Sequence, residues 1–241
     1  MMMPEPHSDP ARIVLAGLVK RYHNRPVLDH LSLSLEGGQF CILVGANGAG
    51  KTTLLRILAT LTRPDEGEIQ FFGEAWEPFP ALRKKIGYIG HKPMFYLDLT
   101  AAENLHHYAR LYHCDDPSEQ IQTALHAAGL QNDQHKPVRT FSRGMQQRLS
   151  IARALLHEPE ILLFDEPYTG LDQPAAQSLD RRLKDLRSPK RIILMSAHRP
   201  QRLLTIATHI AWLQNGIISH HLPVAELHTA PALQDYLQET A

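Results

Sequence analysis

The chain has 241 residues, of which 43% are hydrophobic and 21% charged, which suffices for one α/β domain with a sizeable core. Its 25 Lys and Arg residues balance its 25 Asp and Glu residues, so no net positive charge attracts nucleic acid, and we expect none as a partner. Two cysteines without metal-ligand spacing indicate a reducing compartment, and neither a secretory signal nor a membrane-spanning run of about 20 apolar residues is evident.

The amino-terminal part of the chain is predicted to contain strands and one helix. Residues 12–22 and 31–35 are typical of early antiparallel strands. Residues 39–45 form an apolar run, which predicts a buried strand that leads directly into a glycine-rich loop. A helix is predicted over 51–61 and a further strand over 66–73.

The rest of the chain first turns helical and then alternates. From about residue 91 to 137 the composition favours helices, which indicates an inserted helical subdomain. The later segments are predicted as helix 142–156, strand 161–165, helix 174–187, strand 191–196, helix 200–207 and the strand pair 209–214 and 217–220. This order predicts a parallel sheet flanked by helices, and therefore an α/β fold.

We expect one domain over residues 1–241, because no internal repeat or low-complexity tract divides it. Core and antiparallel β parts are expected at 11–90 and 157–222, and a helical subdomain at about 91–156. A helical tail is expected at 223–241.

The glycine-rich loop fits a phosphate-binding pattern, with Gly45, four residues, Gly50, Lys51 and Thr52 between a strand and a helix. Its glycines allow consecutive N–H groups to wrap phosphates at the positive end of the helix. The candidate phosphate ligands are Gly45, Asn47, Gly48, Ala49, Gly50, Lys51, Thr52 and Thr53. The attraction between the Lys51 ammonium and a phosphate oxygen contributes about 4 kcal/mol at an effective dielectric near 20. The Thr52 hydroxyl is placed to bind magnesium. A glycine-rich turn without function is the alternative.

An acidic pair ends the apolar run ILLF. Asp165 and Glu166 should emerge at the carboxyl edge of the sheet, beside the phosphate-binding loop. Asp165 can hold magnesium through water, and Glu166 can orient or deprotonate an attacking water. Alone, such a pair could simply cap a helix.

Ser142 is predicted to cap the helix at 142–156. Capping is a sufficient explanation, but with Gly144 behind it the helix start leaves exposed N–H groups that can receive a second phosphate. The two roles are compatible.

The segment FSRGMQQR at 141–148, just upstream of the acidic strand, resembles the signature of ABC-type ATPases. The resemblance implies an ABC ATPase fold with ATP and Mg²⁺ as cofactors and ATP hydrolysis as the activity. It assigns Tyr22 to stacking on adenine, residues 169–172 to the D-loop that crosses to a partner subunit, and His198 to contact with the γ-phosphate. It also implies a homodimer that sandwiches two nucleotides, with Ser142 of each copy facing the phosphate bound by the other.

The chain departs from the family pattern at several positions. His91 stands where most members have a glutamine that contacts magnesium and the membrane subunit. Arg143 replaces the first glycine of the signature and Met145 its glutamine, which puts the turnover rate rather than the reaction type in doubt.

The segment IGHKPMFYLDLTAAENLHHYARLY at 89–112 resembles the haem exporter ATPase of cytochrome c maturation, the CcmA type. This implies integral membrane permease partners, a peripheral position on the cytoplasmic side of the inner membrane, and hydrolysis that serves haem delivery to a periplasmic chaperone. His91 and the inserted helices would then form the docking surface.

Three other functions remain open at this point. The chain could serve a generic exporter of drugs, lipids or other small molecules, which the sequence separates weakly from haem export. A soluble ABC ATPase acting on ribosomes or DNA would normally show fused cassettes, a long coiled coil or a basic surface. The intact acidic pair argues against a regulatory module that never hydrolyses ATP.

Overall fold

The computed structural model describes residues 12–76, 80–90 and 94–240. In chain order its strands and helices are β1 (Arg12–Tyr22), β2 (Arg25–Glu36), β3 (Phe40–Val44), α1 (Lys51–Leu58), β4 (Glu66–Phe71), β5 (Glu74–Ala75), α2 (Pro80–Arg83), β6 (Ile86–Ile89), α3 (Ala101–Tyr112), α4 (Pro117–Ala127), α5 (Arg143–Leu155), β7 (Ile161–Asp165), α6 (Gln173–Asp185), β8 (Ile192–Ser196), β9 (His209–Gln214), β10 (Ile217–Pro223) and α7 (Pro231–Glu239). Short 3-10 helices lie at Gln131–Asp133, Val138–Thr140, Pro200–Thr205 and Val224–Thr229.

The larger sheet has the strand order β10-β9-β3-β8-β7-β6. Its strands run parallel except for β10, which pairs antiparallel with β9 at one edge. Every residue of β3, β7 and β8 is buried, as expected for parallel strands that are covered on both faces. The smaller sheet is antiparallel, with the order β2-β1-β4-β5. The predicted α/β fold with an antiparallel β part and inserted helices is confirmed.

Apolar side chains pack on both faces of the larger sheet. Neighbouring residues of β3 point to opposite faces, so Leu43 joins one cluster and Ile42 the other. The first cluster packs α1 and the smaller sheet against the larger sheet, and the second covers its other face with α5, α6 and α7. A third cluster lies within α3, α4 and α5. Helix α5 contributes Leu149 to the third cluster and Ile151 to the second, so it joins the inserted helices to the sheet.

Several boundaries differ from the sequence-based expectation. Helix α1 ends at Leu58 rather than 61, because Thr60 adopts a left-handed φ of 59°. The helix predicted over 200–207 is a 3-10 helix over Pro200–Thr205. Strand β6 was not predicted, because it is short and contains a glycine, Gly87. A Cβ at Gly87 would lie 2.5 Å from the Ala154 carbonyl oxygen of α5. That close approach of α5 to β6 requires glycine.

Candidate functional site

The glycine-rich loop joins β3 to α1, and its backbone follows a path that only glycine allows at two positions. A Cβ on Gly45 would lie 2.4 Å from the Leu213 carbonyl oxygen at the end of β9. Gly50 has a φ of 107°, and a Cβ there would lie 2.8 Å from Leu28 Cδ2. A side chain at either position would displace the loop, so the loop depends on both glycines.

Lys51, the first residue of α1, lies inside the loop. Its side chain is 5% exposed, and Nζ donates hydrogen bonds to the carbonyl oxygens of Gly45 at 2.7 Å and Ala46 at 3.1 Å. Burial lowers the pKa of Lys51, an effect that the nearby Glu166 and Asp165 carboxylates oppose. The ammonium is thus held where it can exchange carbonyl contacts for phosphate oxygens.

Asp165, at the end of β7, has one carboxylate oxygen with two donors and one with none. The Thr52 hydroxyl donates to Oδ1 at 3.1 Å and the Ser196 hydroxyl donates to the same atom at 2.9 Å. Among the described residues Oδ2 is buried without a hydrogen-bond partner. A buried, unpaired carboxylate oxygen beside a hydroxyl is a donor set that suits Mg²⁺, which prefers oxygen ligands. The residues therefore fit the predicted magnesium site.

The sequence analysis assigned His198 and Glu166, together with Lys51, to catalysis. Glu166 contacts His198. Its Oε1 lies 2.7 Å from His198 Nε2. Glu166 has a left-handed φ of 52°, and its N–H donates to the Ser196 hydroxyl at 2.9 Å. The side chains are 19% and 44% exposed, so the pair faces solvent at the edge of the sheet.

Ser142 lies in a different cleft. Its hydroxyl accepts a hydrogen bond from the Met145 N–H at 3.2 Å, so it caps α5 as predicted, and the first turn of α5 contains no acidic residue. The cleft measures about 510 Å³ and is lined also by Arg143, Gly144 and Gly170. The phosphate-binding loop lines another cleft of about 370 Å³. The Ser142 cleft and the cleft beside loop residues 46–49 have no lining residue in common.

The remaining predicted residues are placed as follows. Tyr22 ends β1 with 43% of its surface exposed, in a hairpin turn that leads into β2. Asn47, Gly48 and Ala49 line the 370 Å³ cleft. His91 lies outside the described residues.

The sequence analysis missed Ser196 and a hydrogen-bond network beside Glu166 and His198. The Tyr168 hydroxyl donates to Asp180 Oδ1 at 2.6 Å, and Arg202 Nε donates to Asp180 Oδ2 at 2.5 Å. The network connects the segment after Glu166 to helix α6 and to the segment after His198. The feature of the sequence that could have identified Ser196 is a polar residue at the end of an apolar central strand.

Two negative findings hold for residues 12–76, 80–90 and 94–240. No three His, Cys, Asp or Glu side chains there come together as a metal-binding group. No helix in these ranges is long and apolar enough to cross a membrane.

The fold, the phosphate-binding loop and the acidic pair define a P-loop ATPase. The family model described as ABC transporter matches residues 28–169. The chain is 36% identical over 212 residues to the bacitracin transport ATP-binding protein BcrA of Bacillus licheniformis, covering 87% of this chain and 69% of that protein. It belongs to the ABC transporter family, as an ATP-binding subunit.

Two further comparisons agree with this membership. The chain is 35% identical over 203 residues to the Nod factor export ATP-binding protein I of Ralstonia nicotianae, covering 83% of this chain and 63% of that protein. The solved structure of an ATP binding subunit of an ABC transporter superposes with a TM-score of 0.84 at 26% identity, covering 94% of this chain and 97% of that chain. The family-level resemblance is confirmed. These relatives carry the names of bacitracin transport and Nod factor export, so haem export stays a prediction.

Proposed function

We propose that this chain hydrolyses ATP to drive export of a small molecule through a separate membrane permease. The contact of Glu166 with His198, beside Lys51 and Asp165, carries the hydrolytic part of the proposal. The export part is supported by the relatives, which are named for bacitracin transport and Nod factor export.

The chemistry follows from the positions of these side chains. Lys51 and the loop N–H groups bind the phosphates, and Asp165 with Thr52 would hold Mg²⁺, which when bound neutralises charge on the phosphate oxygens. Glu166 orients a water and takes its proton as the water oxygen bonds to the γ-phosphorus and the bond to the ADP oxygen breaks. The products are ADP and inorganic phosphate. His198 holds the Glu166 carboxylate in place.

We further propose that the site is completed by a second copy of the chain. Ser142 lies in a cleft separate from the one lined by the phosphate-binding loop. The first N–H groups of α5 have no carbonyl partner within the helix, and its first turn contains no acidic residue, which suits a phosphate presented by a partner. A symmetric dimer would supply both halves of two sites.

Haem export is the second candidate. The segment at 89–112, with Gly90 and His91 followed by LTAAENL, favours it by its resemblance to the haem exporter ATPases. The same resemblance places His91 and the inserted helices at the permease and the chain on the cytoplasmic face of the inner membrane.

The test is affinity purification of the tagged chain from its native membranes in mild detergent. We expect a permease to copurify and the complex to hydrolyse ATP, with the Glu166→Gln chain as a control that recovers the same partner with most of the activity lost. A lone permease would support export of a small molecule, and haem-handling subunits would support the second candidate. Recovery of the active chain with no membrane protein would contradict both.

A further inference from the structure

Ser196 lies at the centre of the site with none of its surface exposed. It ends β8, directly beside Asp165 in the parallel register between β7 and β8. Buried hydroxyls need partners, and the two partners of this hydroxyl are the two residues of the acidic pair.

The Ser196 hydroxyl has one orientation available to it. It donates its single proton to Asp165 Oδ1 at 2.9 Å and accepts the Glu166 N–H at 2.9 Å. Because a hydroxyl carries only one donor, the bond to Asp165 turns its lone pairs towards the Glu166 N–H. The two carboxylate residues are therefore oriented by the same atom.

The bond to the Glu166 N–H stabilises a backbone conformation that glutamate disfavours. Its φ of 52° lies in the left-handed region, where a Cβ is crowded by the backbone. In this conformation the Glu166 carboxylate reaches His198 at 2.7 Å. Relaxation to an ordinary φ would turn the carboxylate away from His198.

The bond to Asp165 determines which carboxylate oxygen stays available. Thr52 and Ser196 both donate to Oδ1, and Oδ2 is left buried without a partner among the described residues. Without Ser196 only the Thr52 hydroxyl restrains Oδ1, so the carboxylate is held less firmly and Oδ2 is presented less precisely.

We propose that Ser196 is a positioning residue for ATP hydrolysis, which holds Glu166 in its left-handed conformation and reserves Asp165 Oδ2 for the metal. The inference rests on the proposed hydrolytic function, since it names how that site is ordered. Ser196 has none of its surface exposed and contacts both residues of the acidic pair, so it acts through that pair.

The first test is the substitution Ser196→Ala. We expect kcat to fall about 10- to 100-fold, the equivalent of a lost hydrogen bond to a charged group, while the KM for ATP in Mg²⁺ rises only several-fold. The matched control is Ser150→Ala, which removes another buried hydroxyl, 5% exposed and donating to the Gln146 carbonyl at 2.9 Å within α5. A Ser196→Ala kcat within about two-fold of the parent, or an equal loss in Ser150→Ala, would overturn the proposal.

A double-mutant cycle separates positioning from a general structural role. If Ser196 acts through the Glu166 carboxylate, Ser196→Ala at saturating ATP and Mg²⁺ causes no further loss of the residual turnover that the Glu166→Gln chain retains. If the turnover lost in the double mutant equals the product of the two single-mutant losses, the proposal is wrong.

A binding measurement gives a readout other than turnover. A fluorescent ATP analogue is titrated into the Glu166→Gln chain with and without Ser196→Ala, in Mg²⁺ and in EDTA. We expect Ser196→Ala to weaken binding several-fold in Mg²⁺ and to leave binding in EDTA unchanged. If Ser196→Ala leaves the ratio of the affinities in Mg²⁺ and in EDTA unchanged, Ser196 does not reserve Asp165 Oδ2 for the metal. A parent chain without ATPase activity would overturn the proposed function, while this ratio still decides on Ser196.

Discussion

At the scale of single residues, the candidate site depends on charged groups that are buried. Lys51 is 5% exposed and contacts two carbonyl oxygens of its own loop, with the carboxylates of Asp165 and Glu166 nearby. An ammonium in this setting does not need to be desolvated when phosphate arrives, so most of its attraction is available to the nucleotide.

Replacement of Lys51 by methionine keeps the length of the side chain and removes its charge. We expect the Kd for ATP to rise several hundred-fold, from a loss of about 4 kcal/mol at an effective dielectric near 20. Isothermal titration calorimetry measures the change. The matched control is Arg56→Met on the exposed side of α1, which should bind like the parent. A Lys51→Met chain with a Kd within about ten-fold of the parent would show that the loop amides suffice.

At the scale of elements, His157 joins α5 to two neighbours. It follows α5, stacks on Tyr112 of α3 with 3.7 Å between ring centroids, and places Nε2 3.1 Å from the Ile86 carbonyl oxygen of β6. Because a carbonyl only accepts, the neutral ring carries its proton on Nε2. Burial lowers the pKa of His157 to about 4, from 6.5.

This pKa makes the free energy of unfolding depend on pH. Below pH 6.5 the unfolded chain takes up a proton at His157 that the folded chain takes up only near pH 4, so stability is lost as pH falls through this window. The slope is about 1.4 kcal/mol per pH unit, which gives a loss of about 2 kcal/mol at pH 5. We expect His157→Phe to remove this component, as measured by urea unfolding at pH 7 and pH 5. His106→Phe, at an exposed site on α3, is the control and should keep the parent's pH dependence. Equal pH dependence in the parent and His157→Phe would refute the assignment.

At the scale of the whole molecule, the separate clefts of Ser142 and the phosphate-binding loop predict association driven by nucleotide. The Glu166→Gln chain is expected to bind ATP and to cleave it far more slowly than the parent, so it should form a dimer in ATP and Mg²⁺, as measured by light scattering after size exclusion. Adding Ser142→Ala to Glu166→Gln should prevent that dimer, because the bridge to the partner's phosphate is lost.

Loss of a helix cap by itself costs about 1 kcal/mol and must be distinguished from loss of the interface. Thr100 caps α3 as Ser142 caps α5, accepting the Glu103 N–H at 3.2 Å. The Thr100→Ala chain with Glu166→Gln should therefore still dimerise in ATP. If the Ser142→Ala chain dimerises equally well, the trans role of Ser142 is wrong.

The parts of the candidate site that depend on neighbours in the chain could be predicted from the amino-acid sequence. The glycine loop between a buried strand and a helix, the acidic pair after β7, and Ser142 at the start of α5 all follow from local patterns of polarity and backbone freedom. Strand order along the chain also predicted the fold class, because alternation of strands and helices leaves few ways to bury a parallel sheet.

Only the tertiary structure decided how these parts meet. Thr52 reaches Asp165 across 113 positions of the chain, and Ser196 reaches it across 31. The left-handed conformation of Glu166 and its contact with His198 depend on the same pairing of β7 with β8. The conformational preferences of neighbouring residues do not specify such contacts, because they form only when assembly of the sheet brings distant strand ends to one edge.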